Sequence, residues 1–539
     1  MKLARLTALL ALPLAAAAPA AVPEKPKLVV VISVDQFSAD LFAQYRQHFD
    51  GGLQRLSKGV VFPSGYQSHA ATETCPGHST ILTGSRPART GIIANNWFSF
   101  RARPSDPNLY CAEDERVPGS THRKYTASPY HLKTLVLGDH MKRADPRSRV
   151  AVVSGKDRSA MMMGGNRPDQ RWWWEGDRFI NPGATPSDSV VEVNRSVAAA
   201  LAEPRPARDL PGLCEPRSRA VSIQGTRRTV GDGRFARAKG DSAAFKISPD
   251  LDQATLDLAA GLRRELRLGE GPATDLLILG LSATDYVGHN YGTGGAEMCI
   301  QLMALDKALG EFFRKLDQTG IDYAVLLTAD HGGHDVPERY NQQAIPDAIR
   351  ADSTMSIEEM NRKLSKSLGV PGPVLYGEYV SGDMYIAPKL SAAQRARALR
   401  EAVRAYGASP KVAKVFTRAQ LLAAPRPSGP PDTWSLLDRA KASFDPERSG
   451  DFVVLLKPRV TPIYDTRSYV ATHGSPWDYD RRVPILFWRK DVVPFEQPLA
   501  VETVDILPTL AAVLRIAIPP GSIDGRCLDL VEGPDDSCR

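Results

Sequence analysis

The sequence predicts an α/β fold in which a doubly wound, mostly parallel sheet carries helices on both faces. Three apolar, β-branched runs indicate strands, at residues 27–34, 275–281 and 322–329. Unbroken apolar runs of this length are typical of strands that are buried on both faces, as in a parallel sheet. Apolar residues recur at three- and four-residue spacing over residues 251–268 and 296–316, which predicts helices between strands. Strands that alternate with helices at this pitch indicate a doubly wound core.

Three stretches interrupt the alternation of strands and helices. They lie near residues 98–120, 166–242 and 337–470, and the first two are rich in Pro, Arg, Asp and Gly without a dominant period. The third contains helical and strand patterns of its own. We interpret all three as insertions that cap one core, so that residues 22–539 form a single domain.

Composition and charge limit the classes of protein that the chain can belong to. Of its 539 residues, 42% are hydrophobic and 24% are charged, which are ordinary fractions for a globular protein. These values exclude a disordered, collagen-like or coiled-coil chain. The formal charge of +7 is small for this length and is not concentrated in one patch, so we expect no nucleic-acid partner.

The N-terminus has the pattern of a secretory signal peptide, predicted to span residues 1–21. Lys2 and Arg5 precede a short apolar run at 6–18 that ends in alanines. This run is too short to span a bilayer comfortably, and no later run reaches about 18 apolar residues. We therefore expect a periplasmic or secreted protein with no integral membrane segment in the mature chain. The alternatives are a disordered Ala-rich tail and an uncleaved anchor.

The six cysteines predict disulfides rather than a thiolate metal site. No two of them form a C-x-x-C pair, which argues against zinc held by thiolates. An oxidising compartment permits disulfides, and Cys527 and Cys538 are close enough in sequence for a local bridge. Cys75 is expected to be a free, buried thiol, and the sequence leaves the remaining connectivity open.

Carboxylates and imidazoles near the predicted strand ends form a candidate metal-ligand set. In open α/β sheets, ligands bind beyond the carboxyl ends of the strands. Imidazole and carboxylate ligands suit zinc and, less specifically, manganese or iron. Six ligands divide into two three-ligand sites with open positions, as in two-metal hydrolases. The candidates are Asp35, Asp285, His289, Asp330, His331 and His473.

Three motifs resemble those of a known enzyme superfamily. The run Ala71-Thr-Glu-Thr-Cys-Pro-Gly-His-Ser-Thr-Ile-Leu-Thr-Gly84, with Asn95 downstream, resembles the nucleophile region of the alkaline phosphatase superfamily. The closest match is its type I phosphodiesterase/nucleotide pyrophosphatase branch. Lys156-Asp-Arg158 is similar to the Lys-x-Arg pair of the threonine-nucleophile, phosphate-irrepressible bacterial alkaline phosphatases. The order and spacing of the metal set also match, so the resemblance extends over residues 27–528.

The resemblance implies a role for each matched residue and two Zn²⁺ ions as cofactors. Thr74 corresponds to the nucleophile, which forms a phosphothreonine intermediate, and Asn95, Lys156 and Arg158 correspond to residues that bind the phosphate. A threonine hydroxyl is a poor nucleophile at neutral pH, and metal coordination supplies the required fall in its pKa. One zinc is implied to be held by Asp285, His289 and His473. The other is implied to be held by Asp35, Asp330, His331 and the Thr74 oxygen.

These roles predict an exported, zinc-dependent alkaline phosphatase that acts on small phosphate esters. A monoester carries one more negative charge than a diester, so the cationic pair Lys156 and Arg158 favours monoesters. A phosphodiesterase or nucleotide pyrophosphatase would share the metals, Thr74 and Asn95 and is the alternative. A phosphate- or metal-binding protein without turnover is a third reading. A sulfatase is disfavoured, because the residues after Cys75 lack the C-x-P-x-R pattern.

Overall fold

The computed structural model describes residues 24–103, 106–532 and 536–538. The predicted signal segment at residues 1–21 lies outside this part of the chain. The described residues form a ten-stranded central sheet and several smaller sheets. In spatial order, nine central strands are Phe495–Glu496, Val60–Tyr66, Arg482–Arg489, Tyr323–Thr328, Leu28–Val34, Asp275–Leu281, Val150–Ser154, Gln170–Glu175 and Arg178–Ile180, and Val501–Glu502 pairs with Val60–Tyr66.

The middle of the central sheet is parallel and fully buried. Leu28–Val34 lies between Asp275–Leu281 and Tyr323–Thr328 and pairs in parallel with both. Every residue of these three strands is buried, as their unbroken apolar sequences predict. Arg482–Arg489 and its neighbour Val60–Tyr66 extend one side of the sheet in an antiparallel arrangement. The three predicted strands therefore form the centre of the sheet, with bounds within one residue of the prediction.

Helices cover both faces of the central sheet. Val30 and Ile32 belong to one large hydrophobic cluster and Val29 and Val31 to another, because successive side chains of a strand point to opposite faces. The predicted doubly wound arrangement is confirmed. The helices are Ala39–Tyr45, Gly52–Leu56, Thr74–Ile81, Pro87–Thr90, Leu137–Ala144, Asp157–Gly164, Asp188–Leu201, Ser242–Lys246, Pro249–Glu265, Ala283–Tyr291, Ala296–Asp317, Pro337–Gln342, Ile357–Leu368, Ala392–Gly407, Arg418–Ala423, Leu436–Ser443, Asp478–Arg481 and Ile506–Val513.

Residues 337–470, which we call the cap, contain a second sheet. Its four strands, in spatial order, are Leu375–Tyr376, Gly382–Ile386, Phe452–Leu456 and Val412–Thr417. A separate hydrophobic cluster fills the space between this sheet and the cap helices. Among the described residues, no helix is both long enough and apolar enough to cross a membrane.

The other two interrupting segments contribute differently from the cap. Segment 166–242 supplies Gln170–Glu175 and Arg178–Ile180 to the central sheet, so it extends the core before it forms irregular structure. The region near 98–120 contains the second strand of a short hairpin, Asn96–Phe98 with Asn108–Tyr110.

Three disulfides join the six cysteines. The predicted bridge between Cys527 and Cys538 is confirmed. The prediction that Cys75 is a free thiol is wrong, because Cys75 is bonded to Cys111. The hairpin brings Cys111 beside the start of the Thr74–Ile81 helix, and only tertiary structure makes this approach visible. The third bridge joins Cys214 to Cys299.

Candidate active site

Three buried aspartates meet at the carboxyl edge of the central sheet. Asp35 directly follows Leu28–Val34, and Asp330 lies two residues beyond Tyr323–Thr328. Asp285 lies in the first turn of Ala283–Tyr291, the helix that follows strand Asp275–Leu281. These three strands are neighbours and run parallel, so their carboxyl ends meet at one edge.

A strained turn fixes the backbone beside Asp35. Gln36 has a φ of 66°, in the left-handed region that a non-glycine residue adopts at a cost of about 1–3 kcal/mol. Its N–H donates to Oδ1 of Asp330 at 3.2 Å. The Gln36 side chain lies against Gly288 and Gly333, where an added Cβ would collide with it. The turn thus holds two of the aspartates in fixed relative positions.

The three predicted histidine ligands share one hydrogen-bonding arrangement. In each ring, Nδ1 lies within hydrogen-bonding distance of a backbone carbonyl, which leaves Nε2 directed toward the aspartates. This arrangement is typical of metal-ligating histidines, because the second-shell acceptor fixes the tautomer and the ring orientation. The Nδ1–O distances are 2.9 Å for His289 and Ala471, 2.9 Å for His331 and Gly332, and 2.8 Å for His473 and Thr72.

The Nε2 atoms and the carboxylates form two adjacent groups that could each hold a metal ion. In the first group, ligand atoms of Asp285, His331 and His473 all lie within 4.8 Å of one another, and in the second those of Asp35, Asp330 and His331 do. His289 Nε2 lies 3.3 Å from Oδ1 of Asp285, beside the first group. His331 therefore lies between the groups in this structure, whereas the sequence resemblance assigned it to the second alone.

The chemistry of the donor set fits divalent cations. Oδ1 of Asp35 and Nε2 of His331 are buried and make no hydrogen bond within the described residues. The nearby Oδ2 of Asp330 and Oδ1 of Asp285 have histidine nitrogens at 3.0 and 3.3 Å. Buried polar atoms are nearly always satisfied, so buried carboxylate and imidazole atoms that lack a partner and lie within 4.8 Å of one another are typical of a metal site. Burial, followed by repulsion from Asp285 and Asp330, raises the pKa of Asp35 well above its ordinary value. Cations at this point would relieve that repulsion.

Lys156 directly contacts one carboxylate from each of the two ligand groups. Its Nζ lies 2.6 Å from Oδ2 of Asp35 and 2.5 Å from Oδ2 of Asp285. Burial opposes the charge on Lys156, but the Asp285 and Asp35 carboxylates prevail and raise its pKa. The ammonium group thus lies where the two predicted metal sites meet.

Thr74 is the first residue of the Thr74–Ile81 helix and faces this cluster. Its hydroxyl Oγ1 lies 3.5 Å from Nη2 of Arg158. Gly77, one turn later, packs so tightly against the carbonyl of Asp330 that a Cβ would collide with it. That close contact brings the helix N-terminus, with its free N–H groups and partial positive charge, against the predicted metal ligands.

Asn95 is connected to the same helix terminus. Its Oδ1 accepts a hydrogen bond of 2.8 Å from the N–H of Cys75, and its own N–H donates to Glu73 at 2.8 Å. The carbonyl oxygen of the amide is therefore engaged, and the NH₂ group is the part of Asn95 that can donate to a substrate oxygen. Thr74, Asn95 and Arg158 line one cleft together with Asp285, His289 and His473. Lys156 and His331 connect these residues to Asp35 and Asp330.

The structure also shows residues near the site that sequence reasoning missed. His78 Nδ1 lies 3.0 Å from Oδ2 of Asp330 and 2.9 Å from the carbonyl of Thr74, and its position four residues after Thr74 could have revealed it. Tyr110 donates to Asp157 at 2.9 Å and lies 3.5 Å from Arg158. No local signal marks Tyr110, because it approaches Arg158 only through the hairpin.

A cleft of about 340 Å³ lies over this site, which we call the catalytic cleft. One wall is formed by Thr74, Asn95 and Arg158 at the edge of the central sheet, and the other by the cap. The cap wall is largely apolar and includes Phe444 and Ile463. The cleft is therefore charged where the predicted metal ligands lie and apolar on the opposite side.

Comparison with known proteins identifies relatives along almost the whole chain. An alkaline phosphatase named PhoK from Sphingomonas sp. is 56% identical over 519 residues, which is 95% of this chain and 92% of the relative. An alkaline phosphatase named PhoD from Zymomonas mobilis is 48% identical and covers 94% of this chain and 88% of its own length. The predicted similarity to bacterial alkaline phosphatases is confirmed.

Solved structures and a family profile agree with these relatives. The crystal structure of the alkaline phosphatase PafA superposes with a TM-score of 0.81 at 24% identity, covering 95% of this chain and all of that one, which confirms the predicted alkaline-phosphatase-like fold. The profile of the type I phosphodiesterase / nucleotide pyrophosphatase family matches residues 29–476. This chain belongs to the type I phosphodiesterase / nucleotide pyrophosphatase family.

Proposed function

We propose that this protein is an alkaline phosphatase that hydrolyses phosphate monoesters through a phosphothreonine intermediate formed on Thr74. The observation that carries the proposal is the position of Thr74, at a helix N-terminus, 3.5 Å from Arg158 and in the same cleft as the candidate metal ligands Asp285, His289 and His473. Relatives named alkaline phosphatase at 56% and 48% identity support it.

We further propose two Zn²⁺ ions as cofactors. The residues that would hold them are Asp285, His289 and His473 for one ion and Asp35, Asp330, His331 and Thr74 for the other. When bound, such ions lower the pKa of a coordinated hydroxyl and neutralise negative charge that develops on oxygen. Only oxygen and nitrogen ligands occur in the set, and that combination suits zinc.

The protein's own residues position the phosphoryl group for attack by the Thr74 oxygen. The Arg158 guanidinium, next to the nucleophile, is placed to donate to two non-bridging oxygens through its planar fork. The Asn95 NH₂ group donates to a further oxygen, and the helix N-terminus favours the anion. Lys156 contributes a positive charge at the junction of the two carboxylate groups. As the bond from the Thr74 oxygen to phosphorus forms, the P–O bond of the ester breaks, and the leaving group departs as an alcohol that takes up the proton lost by Thr74. Water then hydrolyses the phosphothreonine, which releases inorganic phosphate and restores the Thr74 hydroxyl.

Arg158 favours a monoester over a diester, because only the monoester carries a second negative charge for its guanidinium to bind. Lys156 is already paired with Asp35 and Asp285 and contributes less to this preference. The experiment compares kcat/KM for an aryl phosphate and for the matching bis-aryl phosphate, with metal content measured on the same sample. Higher efficiency on the monoester is expected. Equal or higher efficiency on the diester would reject the monoesterase proposal. Chelation should abolish phosphate release and added Zn²⁺ should restore it, and activity that persists in metal-free protein would reject the metal sites.

Phosphodiesterase activity is the second candidate, and one observation favours it. The cap side of the catalytic cleft is largely apolar, with Phe444 and Ile463 among its residues, and would accept a second ester group. The family profile that matches the chain also bears the phosphodiesterase name. The same substrate pair decides between the two activities. The Thr74→Ala variant distinguishes an enzyme from a binding protein without turnover, because a binding protein would keep its whole function in that variant.

We also propose that residues 22–539 are a single catalytic domain of an exported protein. The two large clusters on the central sheet contain residues from Leu28 to Leu530, which supports one core. Three disulfides support an oxidising compartment. Expression of the full chain with N-terminal sequencing of the exported protein tests this. A mature N-terminus near residue 22 is expected, and retention of Met1 in the cytoplasmic fraction would reject export.

A further inference from the structure

A second cleft lies directly beside the catalytic cleft. It has a volume of about 390 Å³ and is open to solvent on one side. Four residues line both clefts, namely Asn96, Tyr110, Arg158 and Tyr286. Arg158, the proposed phosphate-binding residue, therefore forms part of the boundary, so that one ligand could contact Arg158 and extend into the second cleft.

A cation without a carboxylate partner faces this second cleft. Lys246, the last residue of helix Ser242–Lys246, makes no ion pair with any described residue. Its Nζ lies 4.9 Å from the centroid of the Tyr286 ring, and Nζ of Lys156 lies 5.0 Å from the same centroid. Burial, followed by repulsion from the Lys156 ammonium, lowers the pKa of Lys246. Two ammonium groups thus share one aromatic ring, and only Lys156 is neutralised by carboxylates.

The two carboxylates that line the second cleft do not neutralise Lys246. Asp157 accepts hydrogen bonds of 2.9 Å from the hydroxyl groups of Tyr110 and of Tyr125, so its oxygens are already engaged. Glu175 is exposed to solvent and forms no ion pair with Lys246, although its negative charge partly offsets the fall in the pKa of Lys246. A half-buried cation in a polar cleft, with no carboxylate of the described residues in ion-pair contact with it, is suited to an anionic ligand.

We propose that the second cleft binds a second phosphoryl group of the substrate through Lys246. The substrate class is then a phosphate monoester whose leaving group carries another phosphoryl group, with Arg158 and Lys246 each contacting one of the two. This inference rests on the proposed function, because it takes Arg158 as the contact of the reacting phosphoryl group. Lys246 is a specificity residue here and takes no part in bond making or breaking.

The test uses Lys246→Met, which keeps the apolar stem over Tyr286 but removes the charge, and Lys246→Arg, which keeps the charge. Two probes are compared, an alkanediol bisphosphate and the alkyl monophosphate of equal chain length. Lys246→Met should lower kcat/KM roughly tenfold for the bisphosphate, the loss expected for one charge-assisted contact, and leave the monophosphate unchanged. Lys246→Arg should retain most of the efficiency on the bisphosphate. The matched control is Lys239→Met, an exposed lysine of the same segment, which should change neither value.

Two results would overturn the inference. One is an equal loss on both probes in Lys246→Met, which would indicate a structural or general electrostatic role. The other is an unchanged ratio of the two efficiencies. Failure of the proposed function is distinguished by the wild-type protein, which would then hydrolyse neither probe. If the wild-type protein hydrolyses the monophosphate but Lys246→Met leaves the ratio of the two kcat/KM values unchanged, the proposed role of the second cleft is rejected and the proposed function is not.

Discussion

The carboxyl edge of the central sheet and the cap contribute different kinds of residue to the catalytic cleft. Asp35, Asp330 and His331, at the sheet edge, are fully buried, and each is held by backbone or side-chain contacts. The cap supplies mostly apolar residues, among them the buried Phe444 and the tyrosine Tyr379, which is 53% exposed. From this difference we propose that the sheet edge carries out the chemistry and that the cap contributes apolar contacts to the substrate. Variants of the two regions should therefore fail in different ways.

The largest effect is expected at the sheet edge for Thr74→Ala. Loss of the nucleophile should reduce kcat by roughly three orders of magnitude or more, because the remaining groups can only bind the substrate. Metal content and the melting temperature should stay close to those of the wild type, since Asp35, Asp330 and His331 would still hold the ion that the Thr74 oxygen is proposed to contact, and the only other contact of the hydroxyl among the described residues is the one of 3.5 Å with Arg158. Steady-state kinetics measure kcat, and metal analysis and thermal unfolding of the same preparation measure the metal content and the melting temperature.

Thr74→Ser is the matched control, because it keeps the hydroxyl and should recover a large part of kcat. Turnover by Thr74→Ala close to that of the wild type would contradict the assignment of Thr74. Complete loss in Thr74→Ser together with loss of metal would show a structural role instead.

Arg158→Ala should give the next largest effect and should discriminate between substrates. One or two charge-assisted hydrogen bonds to a dianionic phosphoryl group are removed, so kcat/KM for an aryl phosphate should fall about tenfold to a hundredfold. A bis-aryl phosphate carries one less charge and should lose less. Parallel kinetics on the two substrates give the ratio, and Arg167→Ala, an exposed arginine nearby, serves as the control. An equal loss on both substrates would contradict a charge-based preference.

Two variants, each lacking a different disulfide, distinguish the positioning of Thr74 from the stability of the whole protein. Replacing both Cys75 and Cys111 by Ser opens a loop of 36 residues and should cost about 4 kcal/mol in the free energy of unfolding. The same change at Cys527 and Cys538 opens a loop of 11 residues and should cost about 3 kcal/mol. Only the first pair adjoins Thr74, so only its removal should also reduce kcat of the folded protein. Denaturant unfolding and kinetics below the transition measure both quantities, and equal effects on kcat would contradict a positioning role.

The smallest effect is expected in the cap, for Tyr379→Ala. The tyrosine lines the catalytic cleft from the cap side, so its loss should raise KM for an aryl phosphate about twofold to tenfold, the range of one aromatic contact. The kcat for a small alkyl phosphate should not change, because Tyr379 has no proposed contact with the reacting phosphoryl group. Tyr464→Ala, which removes an exposed cap tyrosine that does not line the cleft, is the control. A large fall in kcat would contradict the division between the sheet edge and the cap.

The parts of the fold that could be predicted are those with a local pattern. The strands at Leu28–Val34, Asp275–Leu281 and Tyr323–Thr328 are recognisable because burial on both faces requires an unbroken apolar run. The long helix Ala296–Asp317 is recognisable from its period. Gln170–Glu175 was included in an insertion, because its Trp-rich sequence with charged and amide neighbours does not show the aliphatic run of a central strand.

The sequence by itself determined the identity of the candidate site residues, because motif spelling and spacing are local properties of the chain. It could not determine that Cys75 pairs with Cys111, that Lys156 bridges Asp35 and Asp285, or that Lys246 faces a second cleft. Each of these depends on segments that are far apart in sequence and become neighbours only when the sheet, the hairpin and the insertions pack together. Tertiary structure alone decided them, because contact distance and burial are set by packing and not by local pattern.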